Sequence, residues 1–315
     1  MNIFIMKLKK PRFWDNPRPN IYAYLLLPLS ILIRAINYFK TNNSKKNSNI
    51  NIKTICVGNI YLGGTGKTSL AIRIAQILKK RKFKSCFVKK FYKNQLDEQN
   101  ILKKNGTLFI HKHRKKALEY AEKENFEIAI FDDGLQDNTV YYNKKIICFN
   151  TINWVGNGMT IPSGPLRESI NTLTKYDNIF LNGNLENLEY LKKQIFKINS
   201  KANIHIGVYE PKNLNEFDLS DNYFAFSGIG NHKTFISMIE KFNFKIQKNL
   251  EFPDHYQYSN QDIDKIIKEA SSLKCKIITT EKDYERIKNE NYKEIKFIKT
   301  ELKILDEDKF IQSII

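Results

Sequence analysis

The sequence predicts an α/β protein with two three-layered α/β/α domains and a helix at the N-terminus. Short apolar strands alternate with amphipathic helices through most of the 315 residues, and one strand–glycine loop–helix unit stands out. An apolar segment precedes that unit. We divide the chain into residues 1–40 for the N-terminal helix, 41–200 for the larger domain and 201–315 for the smaller domain.

The N-terminal part combines a basic start with an apolar segment over residues 21–39. Its uncharged stretch, residues 19–33, has 15 residues, whereas a membrane-spanning helix needs roughly 20. No small-residue cleavage site follows, which argues against a signal peptide. We expect a helix that lies in the membrane surface, with a buried core helix as the alternative, and a flexible linker over residues 40–51. The side chains suited to lipid headgroups are Trp14, Arg18, Tyr22, Tyr24, Arg34 and Tyr38.

The glycine-rich loop is the strongest signal in the chain. β-Branched residues at 52–57 predict a strand before it, and apolar residues at helical spacing follow it. In such a P-loop, backbone N–H groups surround phosphate oxygens, Lys67 reaches the β- and γ-phosphates, and the Thr68 hydroxyl ligates Mg²⁺. Tyr61 stands where the usual pattern has its first glycine. The fold is thus predicted to have two α/β/α P-loop-type domains with an N-terminal membrane-associated helix. The predicted nucleotide-binding residues are Gly63, Gly64, Thr65, Gly66, Lys67 and Thr68.

Acidic residues open a helix downstream of the P-loop. Asp97 and Glu98 begin a helical stretch that ends at the turn of Asn105 and Gly106. Carboxylates at a helix start are ordinary complements of the helix dipole, so a purely structural role is the alternative. The other elements predicted here are a strand at 85–88, a loop at 89–94, a strand at 107–110 and a helix from Arg114.

A second acidic site follows the apolar strand that begins at residue 126. Asp132 and Asp133 end this strand, and in P-loop enzymes an Asp at the end of a neighbouring strand holds Mg²⁺. Further along, the Gly- and Pro-rich residues 155–168 end in Arg167 and Glu168. This segment could merely connect two elements, but its length and its adjacent cation and carboxylate favour the wall of a site.

The C-terminal part repeats the alternation of strands and helices, which predicts a second parallel sheet. We expect the active cleft between the two domains, although spacing alone would favour a structural role for Asp254 and His255 in their loop. The elements predicted here are strands at 146–150, 204–209, 223–226, 248–252 and 276–279, helices at 235–242 and 261–273, and further elements near 284–287 and 295–298.

Charge and cysteine content narrow the choice of partners. Lys and Arg outnumber Asp and Glu by 52 to 33, a net charge of +19, which favours an acidic partner such as nucleic acid, an anionic bilayer or a phosphorylated substrate. No nucleic-acid recognition motif is evident, so we expect no nucleic-acid partner.

The four cysteines lie far apart and no two have CxxC or metal-ligand spacing, which predicts buried free thiols in a reducing compartment.

Eight short motifs occur in order over nearly the whole chain. They are FW at 13–14, VGNIYLGGTGKT at 57–68, LDE at 96–98, DDGLQ at 132–136, GNGMTIPSGPLRE at 156–168, SGIGN at 227–231, FPDHY at 252–256 and TEKD at 280–283. Together they resemble the tetraacyldisaccharide 4′-kinase family, the membrane-associated, ATP-dependent kinases of lipid A synthesis. Three differences stand out: Lys90, Phe91 and Lys93 replace the glycines and first arginine of one family loop, Gln99 replaces a proline, and Tyr256 replaces a second histidine.

The resemblance implies transfer of the γ-phosphate of ATP, with Mg²⁺, to the 4′-hydroxyl of tetraacyldisaccharide 1-phosphate. It implies that Asp97 is the base near the attacking hydroxyl, that His255 partners it, and that Lys67, Mg²⁺ and Arg167 stabilise the charge of the γ-phosphate. It also implies a peripheral or monotopic position on the cytoplasmic face of the bacterial inner membrane, with no obligate protein partner evident. The implied metal ligands are Thr68, Asp132, Asp133 and Glu168, and the implied substrate-side residues are Tyr92, Glu98, Arg114, Gln136 and Arg167.

Two other protein classes share the glycine-rich loop. A partitioning or positioning ATPase also combines such a loop with a membrane-binding helix, but its loop carries a lysine directly before Gly63, where this chain has Leu62. A nucleic-acid-binding NTPase would suit the net charge but lacks a recognition motif here. Nucleotide hydrolysis measured with and without lipid, and with and without DNA, distinguishes the three classes.

Overall fold

The computed structural model describes residues 10–42, 51–92, 96–287 and 292–315 of a mixed α/β protein. The strands are β1 (Lys53–Gly58), β2 (Ser85–Lys90), β3 (Leu108–His111), β4 (Ile128–Asp132), β5 (Lys144–Asn150), β6 (Asn178–Asn182), β7 (Asn203–Pro211), β8 (Asn222–Ser227), β9 (Lys245–Glu251), β10 (Lys276–Thr280), β11 (Ile295–Ile298) and β12 (Thr300–Ile304). The α-helices are α1 (Ile21–Leu25), α2 (Leu27–Asn42), α3 (Lys67–Lys80), α4 (Leu96–Asn105), α5 (Arg114–Lys123), α6 (Leu188–Ile198), α7 (His232–Lys241), α8 (Asn260–Ser272), α9 (Glu281–Tyr284) and α10 (Glu307–Ile314).

The larger sheet has eight strands in the order β12-β7-β6-β5-β1-β4-β2-β3. Neighbouring strands run parallel except for β12, which pairs antiparallel with β7. In a parallel sheet the carboxyl ends of the strands meet at one edge, where ligands of open α/β sheets bind. The loops that follow β1, β2 and β4 therefore lie together.

Hydrophobic cores cover both faces of this sheet. Successive β1 side chains point to opposite faces, so Cys56 packs with Phe131 on one side while Ile55 and Val57 pack with Leu70 of α3 on the other. Helix α10 joins the second core. The cysteines are free thiols, and three of the four are buried, as predicted: Cys56, Cys86 and Cys148, with Cys275 partly exposed.

The smaller sheet has four parallel strands in the order β11-β10-β8-β9. Side chains of β8 again alternate, with Tyr223 and Ala225 in the core beneath α7, and Phe224 and Phe226 in the core beneath α8. The sheets do not divide the chain at residue 200, because β7 and β12 both belong to the larger sheet. The smaller sheet is thus an insertion between two strands of the larger one.

The apolar N-terminal segment forms two helices, α1 and α2, that touch the protein along a narrow stripe. Ala23 and Ser30 are buried there, and the Ser30 hydroxyl donates to Thr160 O at 3.0 Å and lies 2.8 Å from Ser163 Oγ. Among the residues described, none of the helices has the length and apolarity needed to cross a bilayer. Most apolar side chains of the segment are exposed: Ile21, Tyr22, Tyr24, Leu25, Leu29, Ile31, Leu32 and Ile36.

Trp14 departs from the prediction for this region. Its side chain is buried, and its Nε1–H donates to Pro162 O at 3.0 Å, while its carbonyl accepts from Asn157 N at 2.9 Å. The expectation that Trp14 lies at headgroup depth is therefore wrong, because the indole fills a space beside the Gly- and Pro-rich loop. The side chain of Tyr38, residues 43–50 of the predicted linker, and Lys93 lie outside the described part of the chain.

The other differences concern where elements end. Strand β2 continues to Lys90, so Lys89 lies in a buried strand and not in the predicted loop. The sequence did not predict β6, α6, β12 or α10. The remaining predicted strands and helices are confirmed to within a few residues.

Candidate active site

The glycine loop after β1 has the backbone that a phosphate cradle requires. Gly63, Gly64 and Gly66 have φ values of 84°, 46° and 77°, in the left-handed region that favours glycine. Helix α3 begins directly after them, so its N-terminal dipole points at the cradle. The Asn182 side chain, at the end of β6, donates to Thr65 O at 2.8 Å and holds the loop. The loop therefore fits the phosphates of a nucleotide.

The smaller sheet closes directly over this loop. A Cβ on Gly64 would lie 2.2 Å from Gly230 O, and a Cβ on Gly230 would lie 2.9 Å from Asp254 Oδ2. Both contacts come from segments that follow strands of the smaller sheet. Backbone therefore approaches backbone at a point where only glycine fits, and residues near His255 come close to the phosphate cradle.

Tyr61 shows why the first glycine of the usual pattern is dispensable in this chain. Its ring is buried, it forms an isolated bridge with Leu166, and its hydroxyl donates to Asp15 Oδ1 at 2.6 Å. Lys10 also contacts the hydroxyl. The next residue, Leu62, donates its N–H to Pro165 O at 2.9 Å. The start of the loop is therefore held by the N-terminal segment and by the Gly- and Pro-rich loop.

Lys89 of β2 and Asp132 at the end of β4 lie beside Thr68, in the first turn of α3. Asp132 Oδ2 accepts from the Thr68 hydroxyl at 3.2 Å and from Lys89 Nζ at 2.5 Å. Lys89 Nζ also donates to Glu98 Oε2 at 2.6 Å, which ties α4 to this group. Burial lowers the pKa of Lys89, but the two carboxylates outweigh burial and leave the pKa raised. Lys89 is therefore a fixed cation at neutral pH.

Asp133 faces cations and lies apart from the Lys89 contacts. Its Oδ1 is 2.8 Å from Arg167 Nη1 and 3.9 Å from Lys67 Nζ. Burial raises the pKa of Asp133, but Lys67 and Arg167 bring it down to about 2, so the carboxylate is ionised. Gln136 continues the chain of contacts: its Nε2 donates to Glu168 Oε1 at 3.0 Å and its Oε1 accepts from Arg167 at 3.3 Å.

Two predicted substrate-side residues lie elsewhere around this group. Arg114 is buried, and its guanidinium donates to Asp137 Oδ2 at 3.0 Å and to the carbonyl of Asp133. It therefore holds the turn at Asp133, whose φ is 61°. Tyr92 is exposed, and its carbonyl accepts from Gln99 Nε2 at 2.9 Å.

Asp97 and His255 meet although 158 residues separate them. His255 Nδ1 lies 2.8 Å from Asp97 Oδ2, and Arg286 Nη2 donates to the same oxygen at 2.6 Å. Both hydrogen bonds use Asp97 Oδ2. Among the described residues, none forms a hydrogen bond with Asp97 Oδ1. His255 has φ of 58°, an unusual value for a non-glycine residue that its surroundings must impose. On its other side, His255 Nε2 lies 3.8 Å from Asp254 Oδ1 and 4.0 Å from Glu98 Oε1.

These contacts shift both pKa values in opposite directions. The hydrogen bond to Asp97 raises the pKa of His255, and burial opposes that rise. Burial raises the pKa of Asp97, but His255 and Arg286 outweigh it and hold that pKa well below its ordinary value. Asp97 is therefore ionised at neutral pH, and His255 is the more basic member of the pair.

Arg286 is a site residue that the sequence did not predict. Its Nη1 donates to Gly228 O at 2.8 Å and to Asp283 Oδ1 at 3.1 Å, and Asp283 in turn accepts from Gly228 N at 2.9 Å. The TEKD motif and the SGIGN motif thus form one buried unit that presents Arg286 to Asp97. Asp283 and Arg286 are three residues apart, a spacing that places charges on one side of a helical turn, and this was the available signal.

The site fits a magnesium ion that arrives with a nucleotide. Within the described ranges, no three or more His, Cys, Asp or Glu side chains are arranged to hold a metal by themselves. However, Asp132 Oδ1 is buried and has no hydrogen-bond partner among the described residues, and the Thr68 hydroxyl lies 3.2 Å from the other oxygen, Oδ2. Magnesium is commonly held by one or two carboxylates together with substrate phosphates, which this donor set allows.

The chain is similar to a set of named proteins. The family model for tetraacyldisaccharide-1-P 4′-kinase, LpxK, matches residues 22–315. Tetraacyldisaccharide 4′-kinase of Pelagibacter ubique (strain HTCC1062) is 56% identical over 310 residues, covering 98% of each chain. The enzyme of that name from Rickettsia canadensis (strain McKiel) is 34% identical over 298 residues, covering 89% of each chain. The crystal structure of the "apo" form of LpxK from Aquifex aeolicus in complex with ATP shares the fold, with a TM-score of 0.66 and 22% identity over 93% of this chain and 98% of that one.

Proposed function

The chain belongs to the tetraacyldisaccharide-1-phosphate 4′-kinase family, and from this premise we propose that it transfers the γ-phosphate of ATP to the 4′-hydroxyl of tetraacyldisaccharide 1-phosphate. The contact between Asp97 and His255 beside the phosphate cradle carries this proposal. It joins the two sheets at the edge where a nucleotide and an acceptor alcohol must meet. Phosphoryl transfer depends on such placement and on charge neutralisation more than on covalent help.

The nucleotide is held by the loop from Gly63 to Thr68 and by the start of α3. Backbone N–H groups of the loop bind the phosphates, and Lys67 lies on the side of Asp133 and Arg167, where the γ-phosphate would be. Asp132 and Thr68 would hold Mg²⁺, which neutralises charge on the β- and γ-phosphates when bound. On the other flank Asp133 contacts Arg167 and Glu168 contacts Gln136, and both carboxylates remain proposed metal ligands.

The acceptor hydroxyl is activated by the paired Asp97 and His255. Asp97 orients the hydroxyl through its remaining oxygen and takes its proton as the hydroxyl oxygen bonds to the γ-phosphorus and the bond from that phosphorus to the β,γ-bridging oxygen breaks, which releases ADP. His255 shares that proton through the 2.8 Å bond. Arg286 fixes the carboxylate in this position. Tyr92, Glu98 and Gln136 belong to the acceptor side of the cleft.

The exposed apolar face of α1 and α2 supports membrane docking. Leu25 is 70% exposed and Leu32 is 57% exposed, and flanking Arg18 and Arg34 suit anionic headgroups. The chain would act as a peripheral protein on the cytoplasmic face of the inner membrane, where its acylated acceptor lies. In this proposal residues 1–40 form the docking unit, and the second unit is best drawn between β7 and β12.

The direct test is incubation with γ-labelled ATP and tetraacyldisaccharide 1-phosphate in detergent micelles. We expect label on the lipid with the wild-type chain, and labelling that is roughly 10² to 10³ times slower with Lys67→Ala, whose fold is checked by circular dichroism. Label released only as inorganic phosphate, whether or not lipid is present, would refute the proposal and favour an ATPase.

A further inference from the structure

Lys89 is a buried lysine that contacts two carboxylates, those of Asp132 and Glu98. Its ammonium lies 2.5 Å from Asp132 Oδ2 and 2.6 Å from Glu98 Oε2, and its side chain is 1% exposed. Replacing buried ion pairs by apolar groups is often neutral or stabilising, so the three charges are not explained by stability alone. Their position at the edge of the phosphate cradle points to a role in the chemistry of the site.

The same carboxylates are suited to a hard divalent cation. The Thr68 hydroxyl is 3.2 Å from Asp132 Oδ2, the oxygen that Lys89 contacts. Asp132 Oδ1 is buried without a hydrogen-bond partner in the part of the chain that the structure describes. Carboxylate and hydroxyl oxygens are the ligands that Mg²⁺ and Mn²⁺ prefer. Asp132 therefore uses Oδ2 to accept from Lys89 and Thr68, and Oδ1 is a candidate metal ligand.

We propose that Lys89 is a resident cation that fills the place between Asp132 and Glu98, where a divalent ion would otherwise bind. The divalent ion that accompanies the nucleotide is then left Asp132 Oδ1, the oxygen that Lys89 does not contact. Lys89 acts through these two carboxylates, so it is a positioning residue and not a catalytic one. This inference rests on the proposed nucleotide site but does not depend on the identity of the acceptor.

The first test measures metal binding without nucleotide or lipid. Lys89→Met keeps a side chain of similar length and removes the charge, which leaves Asp132 and Glu98 facing each other. We expect Mn²⁺, followed by electron paramagnetic resonance, to bind the variant at least about tenfold more tightly than the wild-type chain, because two uncompensated carboxylates attract it. Lys80→Met removes the same charge from the exposed far end of α3 and should leave Mn²⁺ affinity unchanged.

Folding provides a second readout. A ligand that binds only the folded state stabilises it, so Mg²⁺ should raise the Tm of Lys89→Met. The change in Tm that Mg²⁺ causes in Lys89→Arg should be close to the change in the wild-type chain. If Lys89→Met does not fold in EDTA, millimolar Mg²⁺ should restore its folding. Unchanged Mn²⁺ affinity in a folded Lys89→Met, or failure to fold with Mg²⁺ present, would overturn the proposal and leave Lys89 a structural residue.

Turnover separates this role from a purely structural one. At saturating Mg–ATP, additional free Mg²⁺ should raise kcat of Lys89→Met towards the wild-type value, whereas the wild-type chain and Lys80→Met should not respond. A variant with low kcat at every Mg²⁺ concentration would contradict the proposal. If no lipid were ever phosphorylated, the Mn²⁺ and Tm results would still stand, so the two proposals fail separately.

Discussion

Asp97 and His255 should behave as one catalytic unit when they are replaced. We expect the imidazole to act through the Asp97 carboxylate, because a hydrogen bond of 2.8 Å joins the two side chains. Positioned acid–base groups contribute on the order of 10² to 10⁴ in rate, so we expect Asp97→Ala and His255→Ala each to lower kcat by about 10³. Residues that act as a unit have strongly non-additive effects, and the double variant should also lose about 10³.

The size of this coupling makes it measurable. Independent losses would multiply to about 10⁶, so a shared role leaves a difference of about 10³, or about 4 kcal/mol of coupling free energy. The assay is single-turnover transfer of label from γ-labelled ATP to the lipid, with KM for ATP determined in parallel. KM should change little, because neither side chain belongs to the glycine loop. Arg286 keeps its contacts to Asp283 and Gly228 in every variant, which preserves the local fold.

A matched control uses a histidine outside the pair. His113 is exposed at the start of α5, and His113→Ala combined with Asp97→Ala should give losses that simply multiply. If the Asp97 and His255 losses also multiply, the two side chains act independently. His255 would then be better assigned to binding the sugar or the nucleotide.

Three further outcomes follow from the structure. Lys67→Ala should lower kcat by roughly 10² to 10³ with an unchanged Tm, because its ammonium stabilises phosphate charge; unchanged turnover would mean that the loop is not the nucleotide site. The double variant Leu25→Glu with Leu32→Glu should no longer float with anionic vesicles yet keep its Tm and ATP binding, because both side chains are exposed; continued flotation would exclude this face from docking. The pKa of His255 is raised above 6.5, so kcat should fall as pH decreases through that raised pKa. An imidazolium cannot share the proton, and Asp97 alone is a weak base. A kcat that stays constant from pH 8 to 5 would contradict this.

The phosphate cradle and the alternation of strands and helices could be predicted from the sequence. Both depend on interactions between near neighbours: the cradle needs Gly63, Gly64 and Gly66 for left-handed backbone, and strands and helices show themselves by apolar periodicity. The family resemblance added the pairing of Asp97 with His255, which spacing alone does not reveal. The geometry of that pair is visible only in the fold, where the two sheets meet.

The roles of Lys89 and Arg286 could not be predicted from the sequence, because they depend on which segments the fold brings together. Lys89 follows an apolar strand and looks like the first residue of a basic loop, but β2 continues through it and the neighbouring β4 supplies Asp132. Arg286 reaches Asp97 only because the smaller sheet is inserted between β7 and β12. Sequence patterns thus determined the local backbone and the chemistry of the loop, whereas tertiary structure decided which charges are buried together, since that depends on contacts between residues far apart in the chain.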